Sequence, residues 1–230
     1  SDWLTTGPQV GEFEREFART TGARHAIAVS SGTAALHAAA AVAGIGPGDE
    51  VLVPAITFVA SANCVLYLGG TPVIVDVDPE TLLIDVEAVR SAITPRTRAI
   101  VAVDYAGQPC DYTALRQVAD EHGLTIISDA CHALGASVGG TPVGALGDLS
   151  VFSFHPVKTM TTGEGGMLVT DNDEYASRAR QLRTHGMVRS NGDFLGLGDP
   201  TFEIVSFTFI ESLERMASII RNLATDNCAD

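Results

Sequence analysis

Positive charge is scarce in this chain. Fourteen Lys and Arg stand against 28 Asp and Glu, a formal net charge of −14 over 230 residues. An acidic chain is a poor general partner for nucleic acid or an anionic membrane, although one local basic pocket can still hold a phosphate. Cysteine is sparse too: Cys64, Cys110, Cys131 and Cys228 show no CxxC and no paired spacing. That pattern excludes a disulfide framework and predicts reduced thiols packed as small hydrophobes. His132, His155 and His185 lack zinc-ligand spacing. Asp76, Asp78 and Glu80 in DVDPE mimic a calcium loop only superficially. A proline interrupts it, and the glycine and late bidentate acid are missing, so a solvated turn is expected and no metal. The most apolar run, Ala34 to Gly46, is broken by His37 and Gly44 and is too short to span a bilayer. No basic-then-apolar segment follows Ser1, and repeats, low-complexity tracts and charge blocks are lacking. A soluble, cytoplasmic protein is the expectation.

What is present is apolar and alternating. Hydrophobic residues make up 46% and mean hydropathy is +0.21, enough for a real core. Phe13 and Phe17, four apart among charges, predict an amphipathic helix over residues 11–21. HAIAVS then reads as a strand, and SSGTAALHAAAAVAG as a turn opening a helix. Strands at EVLVPA, TPVIVDVD, RAIVAVD and LTIISDAC alternate with helices at TFVASANCVLYLGG, DVEAVRSAI and DYTALRQVADEHG. Such βαβα alternation with continuous Val/Ile runs predicts an α/β fold, its mostly parallel sheet sandwiched by helices.

In sheets of this kind ligands bind beyond the carboxyl ends of the strands. Three features fall there. The Ser31-Gly32-Thr33 turn combines free amides with a helix dipole and is an anion site in principle, though any strand–turn–helix unit needs small capping residues. Asp104 and Asp129 each finish an apolar run. A carboxylate there needs a cationic partner, such as a protonated pyridine nitrogen, or else it caps the next segment. The third feature is FSFHPVKTMTTGEGG, residues 152–166, where Lys158 stands on a loop between two apolar runs. Alone it reads as a loop lysine. Burial, however, lowers an ammonium's pKa, and a neutral amine condenses with an aldehyde. With the Ser153 hydroxyl five residues earlier to meet a phosphate, the pair suits pyridoxal phosphate, and Lys158 is the candidate Schiff-base lysine.

Taken in order, the blocks SDWLTTGPQVGEFE, SSGTAAL, GPGDEVLVPAITFVASAN, TPVIVDVD, AGQP, SDACHALGA, FSFHPVK, TTGEGGMLVT and HG resemble the DegT-type sugar aminotransferases. This is a pyridoxal-phosphate family of aspartate-aminotransferase fold (fold type I). The FHPVK, TTGEGG and DACH combination is most similar to the branch that makes UDP-4-amino-4,6-dideoxy-N-acetyl-β-L-altrosamine. The resemblance implies that Lys158 carries the Schiff base and Asp129 pairs with the pyridine nitrogen. It implies further that His132 lies near the ring and Phe58 stacks on it, with Ser153, Gly32, Thr33 and Ala34 around the phosphate. It implies glutamate as donor, a nucleotide-linked 4-keto-6-deoxysugar as acceptor, and a homodimer with its site at the interface.

The resemblance covers residues 1–190, expected to be the cofactor-binding large domain. Beyond Arg189 the family's G-[FY]-N-Y-R block is not met: Ile210 stands where its asparagine is expected and Ser212 where its arginine is. Residues 191–230 are therefore expected to be a divergent tail, with one helix around Leu213, Met216, Ile219, Ile220 and Leu223 and without the usual small domain. That departure leaves open a non-catalytic relative that retains the pocket as a binding protein. A lyase or desulfurase is disfavoured, because no cysteine stands in a glycine-rich loop.

Overall fold

The structure, a computed structural model, describes residues 7–184, 186–190 and 193–197. Chain order is α1 (Pro8–Thr21), β1 (His25–Val29), α2 (Gly32–Val42), β2 (Glu50–Pro54), α3 (Ala60–Leu66), β3 (Thr71–Val75), α4 (Val86–Ala92), β4 (Thr97–Val103), α5 (Tyr112–His122), β5 (Thr125–Asp129), β6 (Ser137–Val138), β7 (Thr141–Pro142), β8 (Leu149–Ser153), β9 (Gly166–Thr170), α6 (Asp173–Arg183), β10 (Met187–Ser190) and β11 (Asp193–Leu197). Seven strands form one sheet in the order β1-β9-β8-β5-β4-β2-β3. Pairing is parallel from β8 through β3 and antiparallel on both sides of β9. Two reversals restore direction, so β1 ends on the same edge as β8, β5, β4 and β2.

Both faces of the sheet are covered, and alternation along each strand shows how. Val51, Val53, Ala99, Val101, Ile127 and Leu168 pack one way, under α2, α3 and α6. Leu52, Ile100, Ala102 and Ile126 face the other way, onto α4 and α5. On that second face α1 covers β1, β9 and β8 through Phe13 and Phe17. Phe17 is 0% exposed and meets Phe13, Phe152 and Phe154 edge-on at ring centroids of 5.8, 5.1 and 5.5 Å. Edge-to-face rings gain beyond the area they bury. α1 has Pro8 in its first turn and stops at Gly22, left-handed at φ 72°; both suit helix ends. Pro72 lies in edge strand β3, where its missing N–H is tolerated.

The expected helices and strands are present, with differences. The helix predicted through TFVASANCVLYLGG is confined to Ala60–Leu66. α6 carries little apolar periodicity and was not expected; Asn172 caps it by accepting from the Glu174 and Tyr175 amides at 2.9 and 3.1 Å. Asp78 accepts from the amides of Glu80 and Thr81 and from the Thr81 hydroxyl, so DVDPE is a turn closed on itself. Cys64 and Cys110 are buried, Cys131 half-buried, and all three are free thiols. Among the described residues no helix is long and apolar enough to cross a membrane. His185, Cys228, Ile210, Ser212 and the helix expected near residues 202–223 lie outside the described residues.

Candidate active site

At the carboxyl edge of the sheet lies a cleft of about 440 Å³. Five chain segments build it. The β1–α2 turn contributes Ser31, Gly32 and Thr33; the segment leading into α3 contributes Thr57 and Phe58; Tyr105 follows β4; Asp129 ends β5, with Cys131 and His132 just beyond it; and Ser153, His155, Val157, Lys158 and Glu164 come from the end of β8 and the loop to β9. Lys158 and Asp129 thus share one cavity. Lys158 is the single lysine in these 230 residues.

One end of the cleft is shaped for an anion. Ser31 caps α2, its hydroxyl accepting from the Ala34 amide at 3.1 Å. The Gly32 and Thr33 amides precede the first helical acceptor and have no partner within the helix. Ser153 Oγ accepts from the His155 amide at 3.4 Å, which leaves its own proton for another group. Two glycines make this approach possible. A Cβ at Gly32 would stand 2.8 Å from Ser153 Cβ, and one at Gly166 only 2.2 Å from Ser31 O. Ala34 does not line the cleft: its amide serves Ser31.

The Lys158 loop is held at its neck. Phe154 N donates to Gly165 O at 2.8 Å and Thr162 N to Phe154 O at 3.0 Å, while buried Phe154 anchors in the aromatic cluster. Within the loop, Lys158 N donates to His155 O at 2.9 Å. Lys158 itself is half-buried. Its charge reaches two neighbours: partial desolvation first, then the Lys158 charge, holds His132 below the usual imidazole value. Burial, followed by the Asp129 charge, drives the Cys131 thiol well up, and the Lys158 charge opposes that rise.

Asp129 is 6% exposed. Its carboxylate accepts from Ser61 Oγ at 2.7 Å and from the Cys131 amide at 3.3 Å. Behind it, fully buried Asp104 accepts from the Cys110 amide and the Tyr112 hydroxyl, both at 2.9 Å. Burial raises the Asp104 carboxyl to about 6, against these donors. Asp104 therefore belongs to the wall of the site, not to its lining.

Of the residues expected from sequence, Ser31, Gly32, Thr33, Phe58, Asp129, His132, Ser153 and Lys158 line the cleft, while Ala34 and Asp104 stand back from it. Phe58 is 69% exposed and Val157 78%, both at the cleft mouth. Sequence reasoning missed Ser61, Thr57, Tyr105 and Glu164. For Thr57 and Ser61 a signal existed: hydroxyls four apart leading into α3, in a segment where only the helix and Phe58 were singled out.

A family model, the DegT/DnrJ/EryC1/StrS aminotransferase family, matches residues 1–218. The chain belongs to this family. Solved structures agree. Spr1654 of Streptococcus pneumoniae, assigned as a sugar aminotransferase, superposes in its PMP form with TM-score 0.85 at 31% identity over 96% of this chain and 60% of its own; a PLP form is also known. DesI, solved in the presence of its TDP-sugar product, gives 0.83 at 40% identity over 96% of this chain and 54% of its own. Helicobacter pylori PseC, an aminotransferase involved in the biosynthesis of pseudoaminic acid, gives 0.84 at 31% over 98% and 60%. The fold is that of fold-type-I aminotransferases, and the chain spans 54–60% of the length of these relatives.

Proposed function

We propose that this chain holds pyridoxal phosphate and, as part of an aminotransferase, moves an amino group from glutamate to a nucleotide-linked 4-keto-6-deoxysugar. The observation that carries the reading is the shared cleft: Lys158 and Asp129 both line it, beside an anion cradle of Ser153 and the α2 amides. The fit follows from the residues. Gly32 is bare where a methyl would fill the cradle, and a buried carboxylate with a lone pair to spare suits a pyridinium N–H.

When bound, the cofactor supplies an aldehyde to carry the amino group and a ring that accepts an electron pair. Lys158 would hold the aldehyde carbon covalently and, once released by the donor, serve as the base that carries a proton between carbons. Asp129 would hold a proton at the ring nitrogen. Ser153, Gly32 and Thr33 would donate to the phosphate, Phe58 would cover one face of the ring, and His132 would stand beside it. Relatives at 40% and 31% identity act in different contexts. The altrosamine branch, glutamate and the sugar therefore rest on the motifs alone. Apolar Phe58 and Val157 at the mouth support pairing of two chains there. Three free thiols and the acidic composition support a cytoplasmic setting.

A spectral titration with pyridoxal phosphate, then glutamate, tests this. A visible band should form and then fade. Borohydride reduction should fix the cofactor's mass onto the peptide containing Lys158, and no lysine elsewhere in the chain can take it. Lys158→Ala should give neither. A reduced adduct persisting in Lys158→Ala would refute the assignment.

A further inference from the structure

Asp129 is held by a short file of hydroxyls. Ser61 Oγ is 2.7 Å from Asp129 Oδ2, and Thr57 Oγ1 is 2.7 Å from Ser61 Oγ. Proton counting sets the direction. An ionised carboxylate only accepts, and a serine hydroxyl has one proton to give. Ser61 must therefore donate to Asp129, and Thr57 must donate to Ser61. The Thr57 proton is committed inward, so Thr57 offers the cleft only acceptor lone pairs and a methyl.

The Cys131 amide, on the other carboxylate oxygen, comes from the turn after β5; Ser61 comes from α3, 68 residues away in sequence. Donors from two directions fix both the tilt and the twist of a group that otherwise turns about two bonds. Ser61 is 0% exposed and flanked by Ala60 and Ala62. Alanine has the higher helix propensity, so helix formation does not explain the hydroxyl. A buried hydroxyl left without a partner is costly, and here it has two.

We propose that Ser61, backed by Thr57, is a positioning residue that aims the Asp129 carboxylate at the ring nitrogen of the bound cofactor. The proposal rests on the pyridoxal-phosphate reading given above. Among the described residues, the other titratable groups facing this carboxylate include Asp104 just past β4, His132 beyond the β5 turn and, across the cleft, Lys158 on the loop. Substitution at Ser61 leaves all three in place.

The test uses the cofactor-loaded protein and pyridoxal phosphate carrying ¹⁵N in its ring. Two quantities are read: the Kd from the visible band, and the ring-nitrogen resonance, which reports whether that nitrogen is protonated. Ser61→Ala should weaken binding about tenfold, the scale of one hydrogen bond to a charged group. It should also move the resonance toward the unprotonated position. Ser61→Thr, which keeps the hydroxyl, should restore both. Thr57→Val, isosteric and at the cleft wall, should shift the resonance the same way by less. A Ser61→Ala protein with wild-type Kd and resonance overturns the proposal. If Ser61→Ala does not fold, an unmoved resonance in Thr57→Val overturns it equally. Failure of the wild-type protein to form the visible band would instead refute the cofactor reading, and the positioning role with it.

Discussion

Replacing Gly32 by alanine probes the anion cradle most directly. The added methyl would stand 2.8 Å from Ser153 Cβ and 3.1 Å from Cys131 Sγ. Carbon atoms pack at about 3.5–4.0 Å, so the start of α2 or the end of β8 must retreat by roughly 1 Å. Ser153 Cβ is fixed to a sheet strand and cannot swing aside. Overpacking of this kind costs about 1–3 kcal/mol of stability, and thermal unfolding without cofactor should show it as a Tm lowered by several degrees. The functional effect is separate. A hydrogen bond to a phosphate oxygen is made near 2.7–2.9 Å and is lost about 1 Å further out. Losing one bond to a charged group costs about 1.5–3 kcal/mol, so Kd for pyridoxal phosphate should rise about ten- to a hundredfold. Titration of the visible band measures it. A lowered Tm with an unchanged Kd would show that the phosphate does not sit between Gly32 and Ser153, and the cradle argument would fall.

Two further outcomes follow from the core and the site wall. Phe17→Ala empties the centre of the four-ring cluster and should cost about 3–5 kcal/mol, read from the urea midpoint; a loss below about 1 kcal/mol would contradict the packing described. Burial raises Asp104 from 3.8 to about 6, so the folded protein holds that proton more tightly than the unfolded chain. Its contribution to stability is complete below 3.8, falls as pH rises toward about 6, and stays lost above. The total is about 3 kcal/mol, from roughly two pKa units at about 1.4 kcal/mol each. Asp104→Asn cannot ionise and should lack that slope. Urea midpoints for both proteins across this range would settle it, and parallel curves would refute the burial argument.

Local pattern and chemistry were enough for much of the fold. Phe13 and Phe17 announced α1, continuous Val/Ile runs announced a sheet covered on both faces, and Asp129 and Lys158 stood out as polar groups where apolar runs end. These signals lie within a few residues of one another, so periodicity and composition carry them. Strand order lies beyond their reach. Nothing local says that β9 turns back between β1 and β8, yet that reversal lays Gly166 against Ser31 and puts Ser153 beside Gly32. Nor does any spacing pair Ser61 with Asp129, or bury Asp104 beside Tyr112 behind the site. Sequence alone supplied the reactive groups and the elements that carry them. Which of those groups share a cleft, and which donors hold them, was decided by contacts between strands distant in the chain, because hydrogen bonding and packing act through space.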